Sequence, residues 1–178
     1  AGAAIVNDVS GFRLDPAMGA TCARGGAGVI LMHSRGTVAD MATYAHAAYG
    51  DDAVGEVVAE LAAARDAARA AGVGPEALVL DPGIGFAKRS ATSLALLAAL
   101  DRVAALGHPV LVGASRKRFV GELSGVADAA ARVHGSVGAH VAALLRGARL
   151  FRVHDVRAHR EALDVAWAVL RGGVHKTV

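Results

Sequence analysis

The stretch ALVLDPGIGFAK, residues 77–88, places an acid, Asp81, directly after three apolar residues that read as a buried strand. A carboxylate in that position needs a partner, because burying an unpaired charge is costly. Other polar residues hold the same place at the ends of other apolar runs: Asn7 and Asp8, His33, Ser115 with Arg116 and Lys117, and Arg152 with His154 and Asp155. The set offers a carboxylate, an amide, an ammonium, a guanidinium and an imidazole. No Ser-His-Asp spacing is evident and no activated nucleophile stands out. Such groups suit the orientation of a planar heterocycle beside an anion better than covalent attack.

Taken singly, each residue also has a plain reading. Asp81 would form a turn before Pro82. Lys117 would be a solvated helix-start residue, Asn7 a turn cap, and Met32 core filler. His154 would be a hydrogen-bonded rim histidine, and His33 is read as structural. Arg152 interrupts LFRV inside a strand pattern, so a ligand and an internal ion pair remain equally open. His154, Asp155 and His159 do not have the spacing of a helical zinc site. Gly83 and Gly85 permit a tight backbone turn.

The elements that must position these residues alternate along the chain. Apolar runs at 3–9, 28–33, 77–81, 109–113 and 150–155 read as strands buried on both faces, as in a parallel sheet. Helical periods separate them. Over 51–72, Val54, Val57, Val58, Leu61 and Ala68 share a stripe, and Leu163, Ala166, Trp167 and Leu170 do so in the last helix. Gly25-Gly26 and Ala71-Gly72 read as helix stops. Residues 34–50 form a long loop of the kind that is functional or mobile. Five βα units make an α/β domain. No G-x-G-x-x-G opens a helix and GIGFAKRS lacks P-loop spacing. A partial (β/α)8 barrel remains, with ligand groups at the carboxyl ends of its strands.

The chain has 178 residues, 54% of them hydrophobic, with aromatics at only 4%. That is enough for one domain, 1–178, with a core of its own. No apolar run reaches the ~18 residues of a membrane span and no signal peptide opens the sequence. The single cysteine, Cys22, excludes an internal disulfide, which fits a reducing, cytoplasmic compartment. A net charge of +3, spread out, argues against a nucleic-acid partner. The first residue is not Met, and a full barrel takes eight units over ~250 residues. The expectation is therefore an N-terminally truncated piece carrying strands 4–8, whose two open sheet edges would make it fold poorly alone.

IVNDV, LMH, LVLDPGIGFAK, LVGASRKRFVG and RVHDV, in that order, make the sequence resemble the dihydropteroate synthase family of folate biosynthesis over essentially its whole length. The resemblance is to the C-terminal two-thirds of that family. It implies a transferase, the target of sulfonamides. Its members condense 6-hydroxymethyl-7,8-dihydropterin diphosphate with 4-aminobenzoate, releasing pyrophosphate with Mg2+ assistance. Asp81 resembles the pterin-anchoring aspartate, with Asn7 completing the ring edge. Lys117 would donate to the ring carbonyl, and Arg152 would lie on the ring face and, with His154, hold the diphosphate. Val9, Met32, Phe86, Leu111 and Gly113 resemble the apolar pterin lining. Phe86, Ser115 and Lys117 would border the 4-aminobenzoate. Catalytic weight would fall on Lys117, Arg152 and His154.

The resemblance further implies a cytoplasmic homodimer. It also implies that the family's metal-contacting Asn loop and third-strand Asp precede residue 1, so that Mg2+ has no ligand in this chain. Residues 1–178 alone are then expected to be inactive. Ile84 stands where Phe is common, and Ala87 where Gly is. Two alternatives remain: a pterin-binding methyltetrahydrofolate corrinoid methyltransferase domain, and a non-catalytic remnant. The cations of Ser115-Arg116-Lys117 and Arg152-Val153-His154 favour the synthase, because a diphosphate needs them and a methyl group does not.

Overall fold

The computed structural model describes residues 2–173. Five strands, β1 (Ile5–Asp8), β2 (Gly28–Met32), β3 (Leu78–Asp81), β4 (Val110–Val112) and β5 (Ala148–Phe151), form one sheet in the order β1-β2-β3-β4-β5. Every neighbouring pair is parallel. Because spatial order equals chain order, the sheet has no switch point of the doubly wound kind; it is an arc of a β/α barrel. Helices fill the crossovers: α1 (Met18–Gly25), α2 (Ala53–Ala70), α3 (Ser90–Ala98), α4 (Leu100–Ala104), α5 (Arg118–Ser124), α6 (Val133–Leu145) and α7 (Val156–Arg171).

The core lies between the sheet and this helical layer. Val29 and Leu31 of β2, Leu78 and Leu80 of β3, and Val110 and Val112 of β4 point outward against Val57 and Leu61 of α2 and Leu96 of α3. Side chains alternate along a strand, so the opposite face carries Asn7, Met32, Asp81 and Leu111. Leu80 is fully buried in the central strand. Leu80→Ala is expected to cost about 2–5 kcal/mol by lost transfer energy and cavity formation. The urea midpoint would fall at unchanged slope.

Three expectations change in detail. The last strand, expected over 150–155, is Ala148–Phe151. Alternating polarity runs past its end, but the Arg152 N–H bond to the Val112 carbonyl (3.1 Å) is its last rung. Arg152, His154 and Asp155 therefore sit on the loop beyond the strand, free of its alternation. The units after β3 and β4 each hold two helices, α3 with α4 and α5 with α6; in the second, α5 stops at Gly125, whose φ of 73° is left-handed. The stripe of the last helix is only half-buried and Leu170 is exposed, since β5 is the edge of the sheet and α7 packs chiefly on α6. Gly26 (φ 60°) caps α1 and Gly72 follows α2, as the sequence implied. No helix among the described residues is long and apolar enough to cross a membrane.

Candidate active site

The loops after β3, β4 and β5 meet at one end of the sheet. They enclose a cavity of about 230 Å³ lined by Phe86, Gly113, Ser115, Lys117, Arg152, Val153 and His154. Asp81 lies at its edge, fully buried, with a complete set of partners. Its Oδ1 accepts the Gly83 N–H at 2.7 Å, and its Oδ2 accepts Arg152 Nη2 at 3.1 Å. Burial pushes the Asp81 carboxyl up; the Arg152 guanidinium, the Gly83 N–H and the Lys88 ammonium oppose that rise.

Arg152 reaches further. Its Nη1 bonds Asn7 Oδ1 at 3.3 Å, and Nη2 approaches Met32 Sδ at 4.0 Å. One guanidinium thus joins the ends of β1, β2 and β3 to its own loop. Gly113 makes room for it, because a methyl there would stand 3.0 Å from Nη2. The Arg152 side chain is 43% exposed, on the rim of the cavity, whereas that of Asp81 is 1% exposed.

Lys117 crosses from the β4 loop, and its Nζ lies 3.9 Å from the centre of the Phe86 ring. This is cation–π distance. Gly85 (φ 77°) lets the loop pass beneath, a methyl there standing 3.1 Å from Lys117 Cδ. Burial lowers the Lys117 pKa, and Asp81 draws it back up. Ser115 Oγ accepts the His154 N–H at 3.2 Å and lies 3.0 Å from His154 Nδ1, so the hydroxyl fixes the imidazole.

Arg116 faces the other way. It makes a two-point pair with Asp155 (3.1 and 2.7 Å) while its N–H donates to Ser136 Oγ, with a left-handed φ of 59°. Its work is to clamp the β4 and β5 loops together. Asp8 caps its own turn through Ser10 and Phe12. Of the residues expected around a pterin, Asn7, Val9, Met32, Asp81 and Leu111 are not part of the cavity lining; Asn7, Met32 and Asp81 reach it through Arg152, and Leu111 is buried two residues below Gly113 on the same face.

Sequence reasoning passed over Lys88 and Glu60. Lys88 is buried, with Nζ on His33 Nδ1 (2.8 Å) and the Phe86 carbonyl (3.0 Å). His33 Nε2 in turn faces Glu60 at 2.9 Å. The signal available was a lysine amid small and apolar residues, but its partner is 55 positions away.

A five-strand arc of a β/α barrel with a buried, guanidinium-paired acid at its carboxyl end defines a ligand-binding barrel. This chain belongs to the pterin binding enzyme family, whose sequence model matches residues 1–154. It is 49% identical to the dihydropteroate synthase of Mycobacterium leprae (strain TN), over 97% of this chain and 62% of that protein. Dihydropteroate synthase from Thermus thermophilus in complex with 4-aminobenzoate superposes with a TM-score of 0.86 at 55% identity, covering 94% of this chain and 63% of that one. The same enzyme in complex with 6HMPPP gives 0.84 at 54%, covering 95% and 63%. The chain thus spans somewhat less than two-thirds of the relatives it matches.

Proposed function

We propose that the protein is a dihydropteroate synthase that joins a 7,8-dihydropterin, activated as its 6-hydroxymethyl diphosphate, to 4-aminobenzoate. The observation that carries the reading is what Asp81 holds. Its carboxylate accepts a backbone N–H and a guanidinium, and a pterin edge presents the same N–C–N donor array through its exocyclic amine and ring N–H. Arg152 Nη2 occupies one of the two carboxylate oxygens such an edge would use, Oδ2, while its Nη1 turns to Asn7.

In this reading the ring takes the place of Arg152 on Asp81 Oδ2, with Asn7 completing the edge. Arg152 moves onto the ring face and, with His154, holds the diphosphate. Lys117 donates to the ring carbonyl. The Phe86 ring, Ser115 and Lys117 border the arylamine; Gly113 flanks the pterin from the cavity wall, and Met32, Leu111 and Val9 supply apolar surface behind that wall. The C–O bond to the diphosphate breaks first, pyrophosphate departs with the bonding pair, and the arylamine nitrogen captures the pterin-methyl cation and then sheds one proton, which the departing pyrophosphate or solvent takes up. Lys117, Arg152 and His154 contribute by placing positive or hydrogen-bonding groups where negative charge gathers.

Magnesium belongs to this reading only as a companion of the diphosphate. Among the described residues no group of three His, Cys, Asp or Glu could hold a metal ion. These residues do not fit a resident cation, and no step here runs through one. A homodimer in the cytoplasm is part of the same reading; for the dimer, Val165 and Val169 give an exposed i, i+4 apolar pair on α7.

Calorimetry tests the proposal. The pterin diphosphate should bind with 1:1 stoichiometry and be displaced competitively by pyrophosphate. Pterin binding indifferent to pyrophosphate would instead indicate methyl-transfer chemistry, and no pterin binding a remnant.

A further inference from the structure

We propose that Lys88 is a positioning residue of the pterin site: its buried side chain ties the 82–87 loop to the end of β2 and, in its ammonium form, supplies positive charge behind Asp81, with the His33–Glu60–Arg35 chain fixing it in place. The proposal rests on the pterin reading above and names a residue outside the cavity lining.

Lys88 is among the largest fully buried side chains of the molecule, at 1% exposure. Its close contacts are all neutral: His33 Nδ1 at 2.8 Å, the Phe86 carbonyl at 3.0 Å and the His33 carbonyl at 3.4 Å. Holding a loop by two carbonyls does not require a charge, because a buried amide would do so without the desolvation cost of an ammonium. The charge therefore needs a separate reason, and Asp81 provides one: Gly83 donates its N–H to the Asp81 carboxylate, and a methyl built on Gly83 would stand only 3.4 Å from Lys88 Nζ. The loop that Lys88 anchors begins next to Asp81, and the His33 N–H accepted by the Asp81 carbonyl (2.9 Å) joins the same two strand ends. When a ring displaces Arg152, the carboxylate loses the cation that hydrogen-bonds to it. The Gly83 N–H and the Lys88 charge then remain to keep it ionised.

The chain behind Lys88 runs to the surface. His33 accepts the ammonium through Nδ1 and, as the neutral tautomer, donates Nε2–H to Glu60. Glu60 is paired with Arg35, which also holds Glu56 at 2.7 Å and lies 4.0 Å over the Tyr49 ring. Burial keeps the His33 pKa at about 4, so the ring stays neutral and the tautomer is set by its neighbours. Burial also brings the Lys88 ammonium down to about 7, against the pull of Asp81 and Glu60 and with the push of Arg35 and Lys117. Those four residues and His33 are the titratable groups that face it from the ends of β2, β3 and β4 and from α2.

Lys88→Gln keeps donors for the two carbonyls and removes the charge; Lys88→Met removes both. Pterin affinity is measured against pH on the protein that carries this sequence, the ligand's own ionisation being common to all variants. Without the ammonium the Asp81 carboxyl rises further, so the acidic loss of binding should move up by about one pH unit in both variants, equivalent to a tenfold coupling. A purely structural lysine would leave the limb of Lys88→Gln where it was.

Should these variants not fold, the unsubstituted protein decides. The Asp81 carboxyl carbon-13 signal should show a second step near pH 7 as Lys88 titrates. Glu60→Gln should shift that step to lower pH, since Glu60 raises the Lys88 pKa. A single-step Asp81 titration, or pterin binding whose acidic limb is unmoved in Lys88→Gln, overturns the proposal alone. Failure of the unsubstituted protein to bind pterin overturns the pterin reading and this proposal with it.

Discussion

Asp81→Asn should weaken pterin binding by roughly 100-fold or more while leaving the protein folded. The substitution turns one acceptor oxygen into an NH2 group that faces the ring's own donors. It also discards charge-assisted hydrogen bonds worth about 1.5–3 kcal/mol, leaving a buried donor unmatched at about 1–3 kcal/mol more. Stability should move the other way. Burial raises the folded-state pKa of Asp81 above its unfolded value, so the native chain binds that proton more tightly than the unfolded chain does. The linked stability is fully present below the unfolded pKa and is lost as pH rises through the folded one. At neutral pH the ionised carboxylate is therefore a burden on the fold, which Asn relieves. Titration calorimetry and thermal melts at pH 7 should show affinity falling while the melting temperature holds or rises. Unchanged affinity would remove Asp81 from the site.

The second large effect is expected at Gly83, for steric reasons rather than chemical ones. Gly83 has a φ of 65°, and a methyl added to it would overlap the backbone carbonyl oxygen of His33. That carbonyl is on the neighbouring strand end, and Lys88 already bonds it, so it cannot retreat freely. Gly83→Ala combines left-handed strain of about 1–2 kcal/mol with overpacking of about 1–3 kcal/mol. Denaturant unfolding should show a loss of roughly 2–5 kcal/mol. Pterin affinity should fall with it, because Gly83 N–H is the backbone donor on Asp81. Ala87, at a φ of 48°, shows the milder side of the same loop: a fully buried alanine in the left-handed region. At Gly83 the obstacle is backbone, which cannot rotate aside.

The order of the five strands, the barrel arc and the helix stops were legible because their causes are local. Apolar runs of strand length, left-handed glycines and 3.6-residue stripes can be read without knowing what they touch. The convergence of Asp81, Asn7 and Arg152 was legible as positions, since strand ends in a parallel barrel must share a rim. What Arg152 does there was not, because its choice between a ligand and an ion pair depends on space left by Gly113, far away in the chain. The end of β5 was misplaced for a different reason: LFRVHD keeps alternating after the ladder has ended. Arg116 shows the limit of motif reading, for within one tripeptide Ser115 and Lys117 face the cavity while Arg116 turns to Asp155. Lys88 was hidden because a buried charge announces itself only through its partners.

A structure of the protein with bound pterin tests the central claim most directly. The ring's amine and N–H should lie on the Asp81 carboxylate, with the Arg152 guanidinium lifted from Oδ2 onto the ring face. A pterin bound elsewhere, with Arg152 still seated on Asp81, would contradict it.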